Sequence, residues 1–222
     1  MDVVTVREIL DPKTSFNRRY IPNLEELAVL VGKFKQAGYR VVIVGGVWDL
    51  IHEGHAAYLD LAKQEGDILI TVVDSDELVR SRKGPSRPVV PEDERLRMVS
   101  FLRAVDIITL RTLEGHLADK EYLNKAIDPD VCVLSTTTGD IPEERRKEIE
   151  KFCGEVVVFP PQAETSSSAR IRLLAIDGAT PLAVSVNELV SQRADQVSQL
   201  LASLPREVKV LVDTHLKELG SK

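Results

Sequence analysis

Residues 41–55 read "VVIVGGVWDLIHEGH", and this stretch decides the fold. Val41–Val44 is apolar and β-branched without alternation, the pattern of a short strand buried on both faces. Gly45 and Gly46 close it. Residues 55–66, "HAAYLDLAKQEG", follow with helical spacing and a stop at Gly66. A buried strand that passes through glycines into a helix, with His52 and His55 at the helix mouth, begins a βαβ unit and places a ligand turn at the strand's carboxyl end.

The same alternation extends in both directions. Upstream, 23–38 "NLEELAVLVGKFKQAG" predicts a helix capped by Asn23 and ended by Gly38, with Leu24, Leu27, Leu30, Val31 and Phe34 on one face. Downstream, strands are expected over 67–74 "DILITVVD", 106–110 "DIITL", 129–135 "PDVCVLS" and 154–160 "GEVVVFP". Helical segments separate them: 91–105 "PEDERLRMVSFLRAV", 114–127 "EGHLADKEYLNKAI" and 143–152 "EERRKEIEKF". The basic stretch 81–90 "SRKGPSRPVV" reads as a loop. The fold class is therefore α/β: a Rossmann-like open parallel sheet of five strands with helices on both faces. Residues 1–22 read as an irregular segment, 23–178 as the α/β domain, and 179–222 as a helical extension built of "LAVSVNELVSQRADQVSQLLASL" and "PREVKVLVDTHLKEL".

The bulk numbers exclude several function classes. The chain has 222 residues and is 43% hydrophobic, enough for a substantial core and too apolar for a disordered protein. A formal net charge of -6 argues against a nucleic-acid-coating protein, while leaving room for a local basic pocket that takes a small anion. No apolar run approaches the ~18 residues of a membrane span, and the first residues lack a signal-peptide pattern, so a cytoplasmic protein is expected. Cys132 and Cys153 lie in apolar stretches and read as buried reduced thiols.

The turn itself points to phosphate. Glycine lets the backbone approach an anion without a Cβ in the way, and the helix behind it offers unpaired N–H groups and a partial positive charge. The dinucleotide pattern G-x-G-x-x-G is absent, and so is the G-K-[ST] of a P-loop. H-E-G-H lacks the one-turn spacing of a zinc helix and a third ligand. The alternatives that remain are a capping or packing histidine beside an exposed one, or two imidazoles serving as donors to one anion. With two glycines at a strand end, the second is preferred: such donors stabilise charge gathering on a phosphorus under attack.

At this point the chain resembles a known family. "GGVWDLIHEGHAAYL" is similar to the G-x-F-D-x-x-H-x-G-H signature of the cytidylyltransferase-like nucleotidyltransferases, with Trp48 where phenylalanine is usual. "VDSDELVRSRKGPSRPVVPEDERLRMVSFLRAVD" resembles the same region of the heptose 1-phosphate adenylyltransferases, and "ETSSSARIR" the family's second, serine-rich signature. The resemblance covers roughly 22–174. It implies transfer of AMP, or CMP as in glycerol-phosphate cytidylyltransferases, from an NTP to a phosphorylated sugar or alcohol, with release of pyrophosphate. Mg2+ would arrive with the bound NTP, and no metal would be held by the protein alone.

It also implies roles. His52, His55 and Lys83 would be catalytic; Gly45, Gly46, Val47, Trp48, Asp49, Gly54, Arg87, Ser166, Ser167 and Ser168 would bind nucleotide or phosphate; Asp74, Arg95 and Arg170 would meet the acceptor or a phosphate. Arg95 has an alternative, pairing with Glu92 or Glu94 on its own helix. The place where relatives carry K-G-x-D-Y reads "VLSTTTGD" here, which leaves open an acceptor such as flavin, as in FAD synthase, or a nucleotide-binding member without turnover. The amphipathic tail makes a homodimer plausible.

Overall fold

The computed structural model describes residues 4–136 and 141–163, and from there onward only 169, 171, 185–186, 188–193, 195–197, 199–200, 202–203, 205 and 208. The chain divides into two compact units, Met1–Ser167 and Ser168–Lys222. In the first, the elements run α1 (Val6–Ile9), α2 (Phe16–Arg19), α3 (Leu24–Gln36), β1 (Val41–Gly46), α4 (Glu53–Gln64), β2 (Ile68–Asp74), α5 (Asp76–Lys83), α6 (Glu92–Ser100), β3 (Ile107–Arg111), α7 (Leu113–Ala118), α8 (Tyr122–Ile127), β4 (Val131–Ser135), α9 (Glu143–Ile149) and β5 (Glu155–Phe159).

All five strands are parallel, in the order β3-β2-β1-β4-β5. The chain moves outward from β1 to β3, then crosses to β4 on the other side of β1. The sheet's switch point therefore lies between β1 and β4, the place where open α/β sheets form a crevice at their carboxyl ends.

Period-two geometry sorts the strand residues into two cores. Val41, Ile43, Ile68, Ile70, Val72, Ile107, Cys132 and Val156 face Leu27, Leu30, Val31 and Phe34 of α3, Leu123 and Ile127 of α8, and Ile149 of α9. Val42, Val44, Leu69, Val73, Ile108, Val131 and Val133 face Tyr58, Leu59 and Ala62 of α4 and Leu96 and Val99 of α6. Every residue of β2 is buried, including Thr71 and Asp74 among its apolar side chains. Cys132 and Cys153 are buried free thiols, and the hydrogen bond with Cys153, then burial, pushes the Cys132 thiol upward.

The structure differs from the sequence expectation in three local places. Residues 4–22 are not irregular. Thr5 and Glu8 form a capping box on α1, while Val4, Ile9 and Ile21 enter the core and Tyr20 bridges to Ile108. The stretch 114–127 is two short helices, because Asp119 leaves helical backbone at φ -157 and the Tyr122 ring packs where a side chain at Gly115 would stand. A further helix, α5, precedes the basic loop, with Ser75 accepting from Leu78 N as its cap and Asp76 and Glu77 in its first turn.

In the second unit the described residues between 185 and 203 are helical. Val186, Leu189, Val190, Val197 and Leu200 are exposed. No helix among the described residues is long and apolar enough to cross a membrane.

Candidate functional site

The site grows from the turn after β1. A side chain on Gly46 would stand 2.9 Å from the Trp48 indole, so that glycine is required by packing. Trp48 is buried and donates its indole N–H to the Val72 carbonyl at 2.8 Å. A buried tryptophan needs such a partner, and its ring then walls the site, lying 5.6 Å edge-on from His55 and 6.2 Å stacked from Tyr58. Trp48 and Leu50 both adopt left-handed backbone, at φ 56 and 48, which costs non-glycine residues of this bulk.

Asp49, between them, holds that strained turn. It is 2% exposed and accepts from the Val89 and Val90 N–H groups at 3.1 and 3.0 Å. Its carboxylate also takes Arg87 through Nε at 3.0 Å and Nη2 at 2.8 Å. The basic loop and the glycine turn are thereby locked together. The contacts of Trp48, Asp49 and Arg87 described here are thus with the protein, and each one shapes the turn that the sequence reading assigned to phosphate.

The two histidines form one unit. His52 caps α4, with Nδ1 accepting from Gly54 N at 3.1 Å, and His55 Nδ1 accepts from His52 N at 3.3 Å. This is a capping box made of imidazoles. An Nδ1 that accepts carries no proton, which leaves Nε2 as the donor position of the ring. The rings lie 4.1 Å apart. The capping reading is thus seen directly for His52, and capping uses only the Nδ1 edge of each ring. A side chain on Gly54 would stand 2.6 Å from Ala163 Cβ and 3.0 Å from the His52 ring, which shows that the chain after β5 returns to this helix mouth.

Two expected contact residues are scaffold. Arg95 is completely enclosed, its side chain 0% exposed. Its Nε donates to Val90 O at 2.8 Å, Nη1 to Val47 O at 2.5 Å and Asp74 O at 2.8 Å, and Nη2 pairs with Asp76 at 2.6 Å. It pairs with neither Glu92 nor Glu94. It ties together the turns after β1 and β2, so the acceptor role read from the sequence becomes a positioning one. Asp74 is likewise 1% exposed and bound to two arginines, Arg82 at 3.1 Å and Arg111 at 2.5 Å.

Lys83 ends α5 before Gly84, whose φ of 92 turns the chain into the loop. Partial burial, then the neighbouring Arg87 and Arg82, hold its amine below the usual lysine range. Ser166, Ser167, Ser168 and Arg170 lie outside the described residues, as does 137–140. Among the described residues no group of three or more His, Cys, Asp or Glu is placed to hold a metal, and the buried Asp49 and Asp74 are both paired with arginines.

Sequence reasoning missed Arg111 and Arg82. The signal for Arg111 was present: a single arginine at the carboxyl end of an otherwise apolar strand, where a parallel sheet meets its ligand.

Comparison with known proteins follows this geometry. Residues 43–174 match the model of a family described as cytidylyltransferase-like. The chain is 30% identical to the bifunctional protein HldE of Methylobacillus flagellatus, over 76% of this chain and 34% of that protein. It is 37% identical to the protein of the same name from Sulfurimonas denitrificans, over 59% of this chain and 27% of that one. The chain thus spans about a third of the length of the curated relatives it matches. It is similar to a crystal structure of a lipopolysaccharide core biosynthesis protein from Thermoplasma volcanium, 29% identical with a TM-score of 0.48, covering 56% of this chain and 98% of that one.

Proposed function

Because the chain belongs to the cytidylyltransferase-like family, we propose that it transfers a nucleotidyl group from an NTP, ATP before CTP, to the phosphate of a small phosphorylated sugar or alcohol, releasing pyrophosphate. The observation that carries this reading is the imidazole capping box. It brings two imidazole rings to 4.1 Å of each other at the mouth of α4, in the turn that follows the glycine end of β1.

The chemistry follows from what the residues do. Nucleotide phosphates sit against the Gly45–Val47 backbone and the N-terminus of α4. His52 and His55 donate to the non-bridging oxygens of the α-phosphate, whose charge grows as the new bond forms. Lys83, already short of its ordinary proton affinity, regains it on meeting a triphosphate. Asp49, Arg87 and Arg95 keep the turn in its left-handed shape before substrate arrives, so no reorganisation is needed at the moment of reaction. Ser166–Ser168, expected at a helix start, would take the leaving pyrophosphate. Magnesium carried in on the NTP would neutralise the triphosphate. The heptose-like look of the basic loop favours a heptose-type sugar phosphate as acceptor. The exposed apolar residues of the second unit support pairing with a second copy, which sedimentation would detect.

The test is thermal stability with ATP, CTP, GTP and UTP in turn, each with magnesium. A nucleotide at ~100 times its dissociation constant adds about 2.7 kcal/mol. One nucleotide should stabilise the protein and then support pyrophosphate release in an acceptor screen. No shift with any of the four overturns the proposal.

A further inference from the structure

Arg111 and Arg82 gather on one buried carboxylate, a cluster that the nucleotide reading leaves unused. β2 and β3 end side by side, Asp74 paired with Arg111 in register. The Asp74 carboxylate is nearly sealed. Its Oδ1 accepts from Arg111 Nε at 2.7 Å, with Arg111 Nη2 in ion-pair contact at 2.5 Å, and its Oδ2 accepts from Arg82 Nη1 at 3.1 Å. One carboxylate thus fixes two guanidiniums and neutralises only one of them. The half-exposed Arg82 and the partly exposed Arg111 present the remaining charge at the surface, with Lys83 next in chain.

Orientation points the same way. Asp74 takes the Nε–Nη2 edge of Arg111, and among the described residues its Nη1 has no protein acceptor. The guanidinium lies over Gly45, where an added Cβ would stand 3.5 Å from both Nη1 and Nη2. Gly45 is the exposed residue of β1. Near this cluster His116 carries a buried Nδ1 without a hydrogen-bond partner among the described residues. Burial, Arg111 and Arg82 hold the His116 ring below its ordinary pKa, so it offers a neutral polar atom beside the charges.

The seat lies on the β2–β3 side of Gly45. The histidine helix crosses the sheet, with Lys63 near its end pairing with Asp106 before β3, but its first turns reach the other side: Tyr58 of α4 donates to the Val133 carbonyl of β4 at 3.3 Å, its ring meets Phe159 of β5, and Ala163 after β5 stands where a side chain on Gly54 would be. Nucleotidyl transfer needs the attacking and leaving oxygens roughly in line across the α-phosphorus. A nucleotide held at the switch point, with pyrophosphate leaving toward α4 and the chain after β5, therefore receives its nucleophile from the opposite side.

Resting on the nucleotidyl-transfer reading, we infer that Arg111 and Arg82, oriented by Asp74, bind the phosphate monoester of the acceptor and deliver it in line across Gly45. In the step, an acceptor phosphate oxygen forms the bond to the α-phosphorus as the bond to the bridging oxygen of the β-phosphate breaks, and pyrophosphate leaves with that electron pair. A phosphate monoester, with a second pKa of about 6, arrives already deprotonated. The step needs no protein base. The shared chemistry of this seat is phosphate, and the other source is the triphosphate tail of the nucleotide.

The experiment separates the sources. Binding of inorganic phosphate is measured by calorimetry on wild type, Arg111→Gln and Arg111→Lys, each with and without a saturating non-hydrolysable magnesium–NTP analogue. The expected result is phosphate binding to the analogue-filled wild type, weakened ten-fold or more by Arg111→Gln and less by Arg111→Lys, with analogue affinity unchanged in both. If Arg111→Gln fails to fold, Arg111→Lys decides by the same comparison. Equal phosphate affinity in wild type and variants overturns the seat, as does failure of the filled wild type to bind phosphate. A matching loss of analogue affinity assigns the arginines to the triphosphate and overturns it as well. If the wild type binds no analogue, the nucleotidyl-transfer reading fails by itself. The seat then stands or falls on whether Arg111→Gln weakens phosphate binding to the empty protein.

Discussion

The two ends of the sheet use the same ionic side chains for opposite purposes. At the amino end, an aspartate stands one residue before each of β2, β3 and β4. Asp67 accepts from Arg40 N at 2.8 Å, Asp106 from Leu69 N at 2.7 Å and Asp130 from Val41 N at 2.8 Å. Each closes the start of a neighbouring strand. The pairs around them touch solvent: Arg40–Glu155 is 48% and 57% exposed, and Lys63–Asp106 and Lys35–Asp128 are also open to water. At the carboxyl end, Asp49 and Asp74 are 2% and 1% exposed, and Arg95 is sealed. Exposed pairs contribute little to stability, while buried ones pay desolvation that their attraction barely repays. A fold that needed only stability would not place its buried pairs at one end. Their concentration there marks the end whose geometry matters.

The widest test of this contrast is Arg95→Leu. It leaves Asp76 and three backbone carbonyls without their donor and should cost about 3–5 kcal/mol in urea unfolding. A loss below ~1 kcal/mol would show that the carboxyl end is not organised around this residue. Next in size is a pair of substitutions at His52. His52→Ala should lower kcat/KM by roughly 10²–10³, as removal of one transition-state donor does, and should also cost about 1 kcal/mol of stability through the lost cap. His52→Asn restores a capping oxygen, so it should regain the stability and not the activity. Recovery of activity in the asparagine variant would reduce His52 to a cap.

The adjacent glycines sharpen the comparison within a single turn. Gly46→Ala drives a methyl into the Trp48 ring and should cost about 1–3 kcal/mol. Gly45→Ala meets Arg111 only at ordinary contact distance and should stay within ~0.5 kcal/mol of wild type in stability. Its methyl covers backbone that a phosphate approaches, so nucleotide affinity should fall all the same. Equal stability losses in the two variants would remove the distinction. The smallest effect belongs to the amino end: Arg40→Ala should change stability by less than ~1 kcal/mol, vanish further in high salt, and leave kinetics untouched. Altered kinetics there would break the division between the two ends.

Much of the architecture was legible because its signals are local. The unbroken β-branched run Val41–Val44 became a strand with two buried faces, and Asn23 caps α3 with the bond its side chain predicts. The N-terminal segment was misread because its order comes from distant partners. Arg19 reaches the carbonyls of Ser100 and Asp106, and Ile21 N reaches Ile108 O. Of the site, the glycines and histidines stood out as a short motif with one strand end behind it. Arg95 resisted reading because a helical arginine among acids looks the same whether it faces solvent or the interior. Its partner Asp76 lies on a different helix, beyond the reach of i,i+4 reasoning.

The sequence by itself determined the α/β class, the glycine turn after the first strand and the imidazole pair at the helix mouth. These depend on residue type and on spacings of a few positions, and local sterics and hydrogen bonding act over that range. Tertiary structure alone decided the order of the strands. With it came the meeting of Asp74, Arg82 and Arg111, the burial of Arg95, and the locking of Asp49 to a loop some forty residues away in chain. The reason is physical: whether a charged side chain supports, binds or merely solvates is set by the dielectric and the partners around it, and those exist only once distant strands have been laid side by side.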